Sequence, residues 1–168
     1  MKKSSKGFSL IELLIVVAII LIIAAIAIPN LLRSRIAANQ ASAVGSLRTL
    51  NTAEITYSST YNVGFTANLL YLGPPAGVNP TSTAAGLIDS VLAGVGGASS
   101  PSGSSKSGYS FAYTPGSADS SGRINTYSFI AVPITNSTGT NYYYTDQSGV
   151  IRQNSTTTAA STDSPIAG

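Results

Sequence analysis

An apolar run near the N-terminus limits the folds that are open to this chain of 168 residues. Every residue from 13 to 28 is apolar, and Glu12 is the one ionisable residue between positions 8 and 28. As a helix, these 21 residues would reach roughly 30 Å, the thickness of the hydrocarbon core of a bilayer. A carboxylate in that setting costs free energy unless a partner offsets the cost. The run therefore predicts a membrane-spanning helix in which Glu12 has a specific partner.

The flanks of the run argue against a secretory signal peptide. Such a peptide has a shorter apolar region, followed by a cleavage site made of small residues, and PNLLRSRIAANQ offers no convincing site. An uncleaved membrane anchor with a basic tip is the alternative that stays open. Lys2, Lys3 and Lys6 precede the run and Arg33 and Arg35 follow it, so the positive-inside rule favours a cytoplasmic N-terminus by a small margin.

Helical periodicity continues beyond the apolar run. Apolar residues at spacings of 4, 7, 4, 3 and 7 lie along one side of a helix: Leu32, Ile36, Ala43, Leu47, Leu50 and Tyr57. We expect one helix over about residues 8–61, with an apolar part at 8–28 and an amphipathic part at 29–61. Pro29 removes a backbone donor and clashes with the preceding turn, which predicts a kink there.

The stretch KGFSLIELLIVVAIILIIAAIAIPN resembles the N-terminus of type IV prepilins and of type II secretion pseudopilins, over roughly residues 1–60. The resemblance implies that residues 1–7 are a leader, which a prepilin peptidase removes by cutting between Gly7 and Phe8. It also implies N-methylation of Phe8 as the new first residue. Glu12 then becomes the fifth residue and Pro29 the twenty-second, both where the family has them.

The same resemblance implies a partner for the glutamate. In the filaments of this family, the residue that matches Glu12 is thought to meet the methylated amine of a neighbouring subunit, here the amine of Phe8. A side chain that only reaches the lipid headgroups is the alternative. The implied partners are further copies in a helical filament, the prepilin peptidase and methyltransferase, and an inner-membrane assembly platform. The implied location is the inner membrane before assembly and the cell surface afterwards.

Composition excludes several kinds of chemistry. The chain contains no cysteine and no histidine, which excludes disulfides, thiolate metal sites and Cys or His nucleophiles. No Gly-x-Ser-x-Gly or Ser-x-x-Lys constellation follows the helix, so we expect neither an enzyme nor a cofactor. Without residues 1–7, six basic residues balance six acidic ones, so binding of nucleic acid is expected only as a property of an assembled fibre.

The second half of the chain predicts a small antiparallel sheet. Residues 62–108 are rich in Gly, Pro, Ser and Thr and predict a connecting region, with a short helix at 83–93. The runs GYSFAYT, INTYSFIAVPI and NYYYTDQSGVIRQ predict three or four strands within residues 109–153, the last run forming a hairpin that turns at 146–149. The first run alternates, with Tyr109, Phe111 and Tyr113 on one face. Residues 154–168 predict a flexible tail or one draped on the surface. The expected fold is α+β, with the long helix packed on this sheet, as the resembled family also has.

Other possible sites are weakly indicated. Asp146 is a candidate for calcium in the C-terminal loops, as in some pseudopilins, although the D-x-D-x-D-G pattern is absent. Asn136 and Asn154 begin Asn-Ser-Thr glycosylation patterns. Between Phe8 and Tyr57 the helix has no aromatic residue, which argues against a continuous aromatic path along it.

Two roles follow from the resemblance. The first is a type IV pilus subunit, which polymerises through its N-terminal helix into a filament for adhesion, twitching motility or DNA uptake. The alternative is a secretion pseudopilin that forms a periplasmic piston. The connection after the helix lacks the Tyr-Pro-Thr-x-Glu-Gly-like segment of major pseudopilins, which favours the pilin. Many type IVa pilins close the C-terminal region with a disulfide, and hairpin packing must replace that bond here.

Overall fold

The computed structural model describes residues 8–77, 79–94 and 103–166. The chain forms two units, Met1–Arg35 and Ile36–Gly168, and each is described by itself. Helix α1 (Leu10–Tyr61) contributes residues to both units. The predicted leader at 1–7 and residues 95–102 of the predicted connecting region lie outside the described residues.

In the first unit, the described chain is almost entirely helix. α1 begins at Leu10 and stays α-helical through Pro29. Because Pro29 lacks an N–H, the carbonyl of Ala25 receives no bond from the residue four positions on. The kink at Pro29 stays a prediction. The most apolar part of α1 has a mean hydropathy of 3.3 and is not buried within the fold, so this helix is long and apolar enough to cross a membrane.

In the second unit, α1 buries the face that the periodicity predicts. Ala43, Leu47 and Leu50 are fully buried and Tyr57 is nearly so, whereas Ile36 is only half-buried. Leu32 belongs to the first unit and is exposed. The same face also buries four residues outside the predicted apolar set: Ser46, Asn51, Ala53 and Glu54.

The described part of the connecting region contains two short helical turns. A 3₁₀ helix at Leu69–Leu72 is capped by the side chain of Asn68, and α2 (Ser90–Ala93) is capped by Asp89, which accepts from the N–H of Leu92. The helix predicted at 83–93 is therefore limited to its last four residues. Both turns bury leucines, so they close one side of the core.

The sheet has five antiparallel strands in sequential order. They are β1 (Gly103–Lys106), β2 (Tyr109–Pro115), β3 (Tyr127–Pro133), β4 (Tyr142–Asp146) and β5 (Arg152–Asn154). The α+β fold with a long helix on a small antiparallel sheet is confirmed, with five strands rather than three or four. The additional strand is β1, which lies in the segment predicted as a connecting region. Its residues GSSK lack β-forming side chains, so their sequence does not predict a strand. β1 pairs with β2 through its backbone.

One face of the sheet forms the core with α1. Burial alternates along β2 and β3, as expected for strands with one face covered. Tyr109, Phe111 and Tyr113 are buried on one face of β2, as the sequence predicted. Phe129 and Ala131 from β3 join them in a single hydrophobic cluster with α1.

The tail after β5 lies against the sheet as far as the structure describes it. The N–H of Gln153 donates to the carbonyl of Ser164, and the N–H of Ile166 donates to the carbonyl of Ile151. Ala159 is buried. As far as residue 166, the tail is therefore held against the sheet by backbone hydrogen bonds.

Candidate functional site

The candidate site is the N-terminal part of α1, because it carries a long apolar surface that the chain itself leaves uncovered. Large apolar side chains within residues 8–28 range from 45% exposed for Val17 to 75% for Phe8 and Leu10. Exposed apolar patches of this extent mark surfaces that contact lipid or protein. The segment therefore requires a bilayer or other protein around it.

Glu12 is tied to the start of the helix. Its Oε2 accepts a hydrogen bond of 2.9 Å from the backbone N–H of Ser9, the residue before the helix begins. Ser9 and Glu12 have the spacing of a capping box, in which the third helical residue reaches back to the capping residue. A carboxylate there also interacts favourably with the positive end of the helix dipole. In the single chain, the carboxylate thus has a local partner without any neighbouring subunit.

The structure brings two of the four predicted site residues together. Phe8 directly precedes Ser9, which Glu12 binds, so the predicted new N-terminus and the carboxylate lie at the same end of α1. Gly7, the residue before the predicted cut, lies outside the described residues. Pro29 lies well along the helix from this end. Cleavage at Gly7, methylation of Phe8 and the pairing of Glu12 stay predictions.

Candidate sites elsewhere in the chain have local structural roles. Asp146 accepts from the N–H and hydroxyl of Ser148, which closes the β4–β5 turn. Within the described residues, no three acidic side chains group together as metal ligands would. The side chain of Asn154 donates to Asp163, whereas Asn136 is exposed.

Sequence reasoning missed a buried carboxyl group, Glu54. It is fully buried on α1, where its Oε2 accepts from the N–H of Thr66 over 2.9 Å and its Oε1 lies 2.6 Å from the Thr66 hydroxyl. Burial raises the pKa of Glu54 above its usual range, against the hydrogen bonds from Thr66 and Tyr113, which lower it. A signal was available, because Leu47, Leu50, Glu54 and Tyr57 follow one another at spacings of 3, 4 and 3 on one helical face.

Comparison with known proteins gives matches to the N-terminal segment. Residues 2–28 match the family described as "Prokaryotic N-terminal methylation motif". The chain is 49% identical over 55 residues to the type IV major pilin protein PilA of Myxococcus xanthus. This matched stretch covers 33% of the chain and 25% of that protein. The chain is also 65% identical over 37 residues to the type IV wide pilus major component PilA4 of Thermus thermophilus. This second matched stretch covers 22% of the chain and 28% of that protein.

These matches confirm the resemblance to type IV pilins for the N-terminal segment. The chain spans about a quarter of the length of the curated relatives that it matches. No solved structure is similar enough to count as a match. The apolar segment, Glu12 and Pro29 lie inside or next to the matched methylation motif, whereas the sheet lies well beyond it.

Proposed function

We propose that this chain, whose N-terminal segment is that of a type IV pilin, is a structural subunit of a type IV pilus and polymerises through residues 8–28. The observation that carries the proposal is the exposed apolar part of α1 with a single carboxylate at its start. A helix of this kind is stable in only two surroundings, the hydrocarbon of a bilayer or the apolar helices of other protein molecules. A pilus subunit uses both in turn.

Lipid tails and leucine side chains are about equally apolar, so burial alone provides little drive for helices to associate within a membrane. Once subunits leave the bilayer, the situation differs, because exposing this surface to water costs about 25 cal/mol for each Å². Copies of the helix must then cover one another. The uncovered surface of α1 supports a subunit that passes from the inner membrane into a filament on the cell surface.

The chemistry at the start of α1 supports one specific alignment of neighbouring subunits in the filament. A cut after Gly7 leaves an amine on Phe8, which the methyltransferase would modify. In the filament, the carboxylate of Glu12 meets the amine of a neighbouring subunit. Removing one partner of a buried pair leaves the other charge uncompensated, so the pair selects one alignment among apolar helices that otherwise slide freely. In the single chain, this carboxylate accepts a hydrogen bond from the N–H of Ser9. On assembly, the amine of the neighbour replaces or joins that hydrogen bond.

The role of a secretion pseudopilin is the alternative. The names of the relatives favour the pilus, since both are described as major pilus components. Adhesion, twitching motility and DNA uptake would be properties of the assembled fibre and its motors rather than of a catalytic site. The proposed partners are therefore further copies of the chain, the peptidase and methyltransferase, and the assembly platform in the inner membrane.

The test is to shear intact cells, collect the released fibres and determine the N-terminus of this protein by mass spectrometry. Long fibres that carry N-methyl-Phe8 are the expected result. Processed protein that is confined to the cell envelope would favour the pseudopilin instead. A chain that retains Met1 in every fraction would overturn the proposal.

A further inference from the structure

The core of the second unit contains a carboxyl group with no cation beside it. Glu54 lies on α1, is fully buried and has no exposed atom through which water could stabilise a negative charge. Within the described residues, the one ion pair joins Lys106 to Asp89. Burying an unpaired carboxylate costs so much free energy that such groups generally take up a proton instead.

The contacts around Glu54 form a short chain of oxygens. Glu54 Oε1 lies 2.6 Å from Thr66 Oγ1, which lies 3.0 Å from the Tyr113 hydroxyl oxygen. The Tyr113 hydroxyl in turn lies 2.6 Å from the backbone carbonyl oxygen of Thr66. The N–H of Thr66 completes the set by donating to Glu54 Oε2. All these groups are buried, so each needs a partner within the protein.

The number of available hydrogens favours a protonated Glu54. Three oxygen–oxygen contacts join the group, and the hydroxyls of Thr66 and Tyr113 supply one hydrogen each. The Tyr113 hydroxyl donates to the carbonyl of Thr66, so the Thr66 hydroxyl faces both Glu54 Oε1 and the Tyr113 oxygen with one hydrogen for the two. When Glu54 keeps its proton, its Oε1 donates to Thr66 Oγ1 and the Thr66 hydroxyl donates to Tyr113.

We propose that Glu54 keeps its proton in the folded chain at pH values at which an exposed glutamate is ionised, and that its ionisation weakens the attachment of the segment around Thr66 to α1 and β2. This segment follows the end of α1 and is also held by the N–H of Phe65, which donates to the carbonyl of Ile124. The triad of Glu54, Thr66 and Tyr113 is thus a pH-sensitive clamp on the start of the connecting region.

Within the described residues, no titratable neighbour of Glu54 carries a positive charge that would stabilise its ionised form. The titratable groups that face Glu54 are tyrosines: Tyr57 on α1, Tyr113 on β2 and Tyr127 on β3. Burial raises the pKa of each of these tyrosines, and the proximity of Glu54 raises it further. They therefore stay neutral over the whole range in which a carboxyl group titrates, and none can supply a positive charge.

The direction of the pH effect follows from linkage. The pKa of Glu54 is raised from a usual value of 4.5, so between that value and the folded pKa the folded chain binds more protons than the unfolded chain. The stabilising contribution is complete below the unfolded pKa and is lost as the pH rises through the folded pKa. Relative to a chain without this group, the unfolding equilibrium constant rises up to tenfold for each pH unit in that interval.

The experiment uses the full-length processed chain in detergent micelles. Infrared spectroscopy detects the carbonyl stretch of a protonated carboxyl group, which is absent from a carboxylate. We expect part of this band to persist above the pH range in which exposed carboxyl groups ionise, in the wild type and in Glu12→Gln but not in Glu54→Gln. Urea unfolding from about pH 4.5 upward should show a slope of up to tenfold for each pH unit for the wild type relative to Glu54→Gln, whose amide donates to Thr66 at every pH.

Tyr113→Phe provides a second arm that does not depend on how well Glu54→Gln folds. Tyr113→Phe removes a hydroxyl whose hydrogen bond lowers the pKa of Glu54. We expect the carboxyl band to persist to higher pH in this variant than in the wild type, which a purely space-filling role of Tyr113 would not produce. A wild-type band that disappears together with that of the exposed carboxyl groups, or equal pH profiles for the wild type and Glu54→Gln, would overturn the proposal.

Discussion

The side-chain amide of Asn51 joins α1 to two strands of the sheet at once. Its Nδ2 donates to Thr145 Oγ1 on β4 over 2.8 Å, and its Oδ1 accepts from the Tyr127 hydroxyl on β3 over 3.1 Å. All three residues are buried. A polar residue inside the helix–sheet interface therefore fixes the register of α1 against the strands.

Asn51→Ala should destabilise the second unit strongly. The substitution leaves the hydroxyls of Thr145 and Tyr127 buried without a partner, at about 1–3 kcal/mol for each. We expect a total loss of about 2–5 kcal/mol in the free energy of unfolding, measured by urea denaturation of the full chain in detergent. Thr52→Ala, on the exposed side of the same helix, should change this free energy by no more than about 0.5 kcal/mol. Equal effects of the two variants would contradict this role for Asn51.

Glu12→Gln separates the charge of Glu12 from its capping role. Glutamine keeps an oxygen that accepts from the N–H of Ser9 but cannot form an ion pair with an amine. We expect normal membrane insertion and cleavage, with few or no fibres in the sheared fraction measured by quantitative immunoblotting. Leu14→Ile keeps the apolar surface and should assemble normally. Wild-type amounts of fibre from Glu12→Gln would exclude the charge pair and leave the cap as the function of this side chain.

Gly7→Val should block processing of the leader. Glycine suits an extended, unhindered backbone at the cut, and a β-branched side chain restricts that backbone and adds bulk beside the bond. We expect the full leader to remain on the chain, as seen by mass spectrometry of the membrane fraction. Ser5→Val makes a comparable change two residues earlier and should leave the cut intact. Efficient processing of Gly7→Val would place the cut elsewhere.

The features that the sequence predicted well are those that depend on periodicity. Leu47 and Leu50 mark the buried face of α1 because helical spacing repeats over many turns, and Tyr109 and Phe111 mark the buried face of β2 because strand residues alternate. Glu12 stood out because a single charge interrupts a long apolar run. In each of these cases, the signal lies within one continuous stretch of chain.

The features that sequence analysis missed depend on contacts between distant stretches. β1 forms because the backbone of β2 offers it hydrogen bonds. The residues Gly103–Lys106 have little strand propensity of their own, so their sequence does not predict this strand. Glu54 has its hydrogen-bond partner Thr66 12 residues further along, and Thr66 in turn contacts Tyr113, another 47 residues on. A glutamate at a core position of a helix indicates a buried acid only when such partners are known, because solvated glutamates are far more common.

Gly64→Ala should disrupt the connection between α1 and the 3₁₀ helix. Gly64 has φ +86° and pairs with Ile124, and a β-carbon there would overlap the backbone of Ile124. Backbone cannot move aside as a flexible side chain can, so we expect a loss of more than about 3 kcal/mol in urea denaturation. Gly149→Ala is the matched control, since Gly149 has φ +73° but open space around it, and should cost about 1 kcal/mol. Similar losses for both variants would show that backbone conformation, rather than the close approach to Ile124, limits position 64.

Asp163 holds the C-terminal tail in place of a covalent link. Its Oδ1 accepts from the side chain of Asn154 over 3.0 Å and its Oδ2 accepts from the N–H of Ala160 over 2.8 Å, so one carboxylate joins β5 to the returning tail. The backbone carbonyl of the same residue accepts from Arg152. The tail therefore depends on hydrogen bonds that one substitution removes.

Asp163→Ala should release the tail without unfolding the sheet. Both carboxylate contacts disappear while the backbone bonds of Gln153 and Ile166 remain, so we expect faster amide hydrogen exchange over residues 155–164 and little change in β2 and β3. Asp163→Asn keeps one side-chain oxygen and should give an intermediate rate, and Ser161→Ala, on an exposed neighbour, should match the wild type. Exchange in the tail of Asp163→Ala that equals the wild type would mean that the backbone bonds alone hold it. The C-terminal region would then need neither a disulfide nor this carboxylate to stay closed.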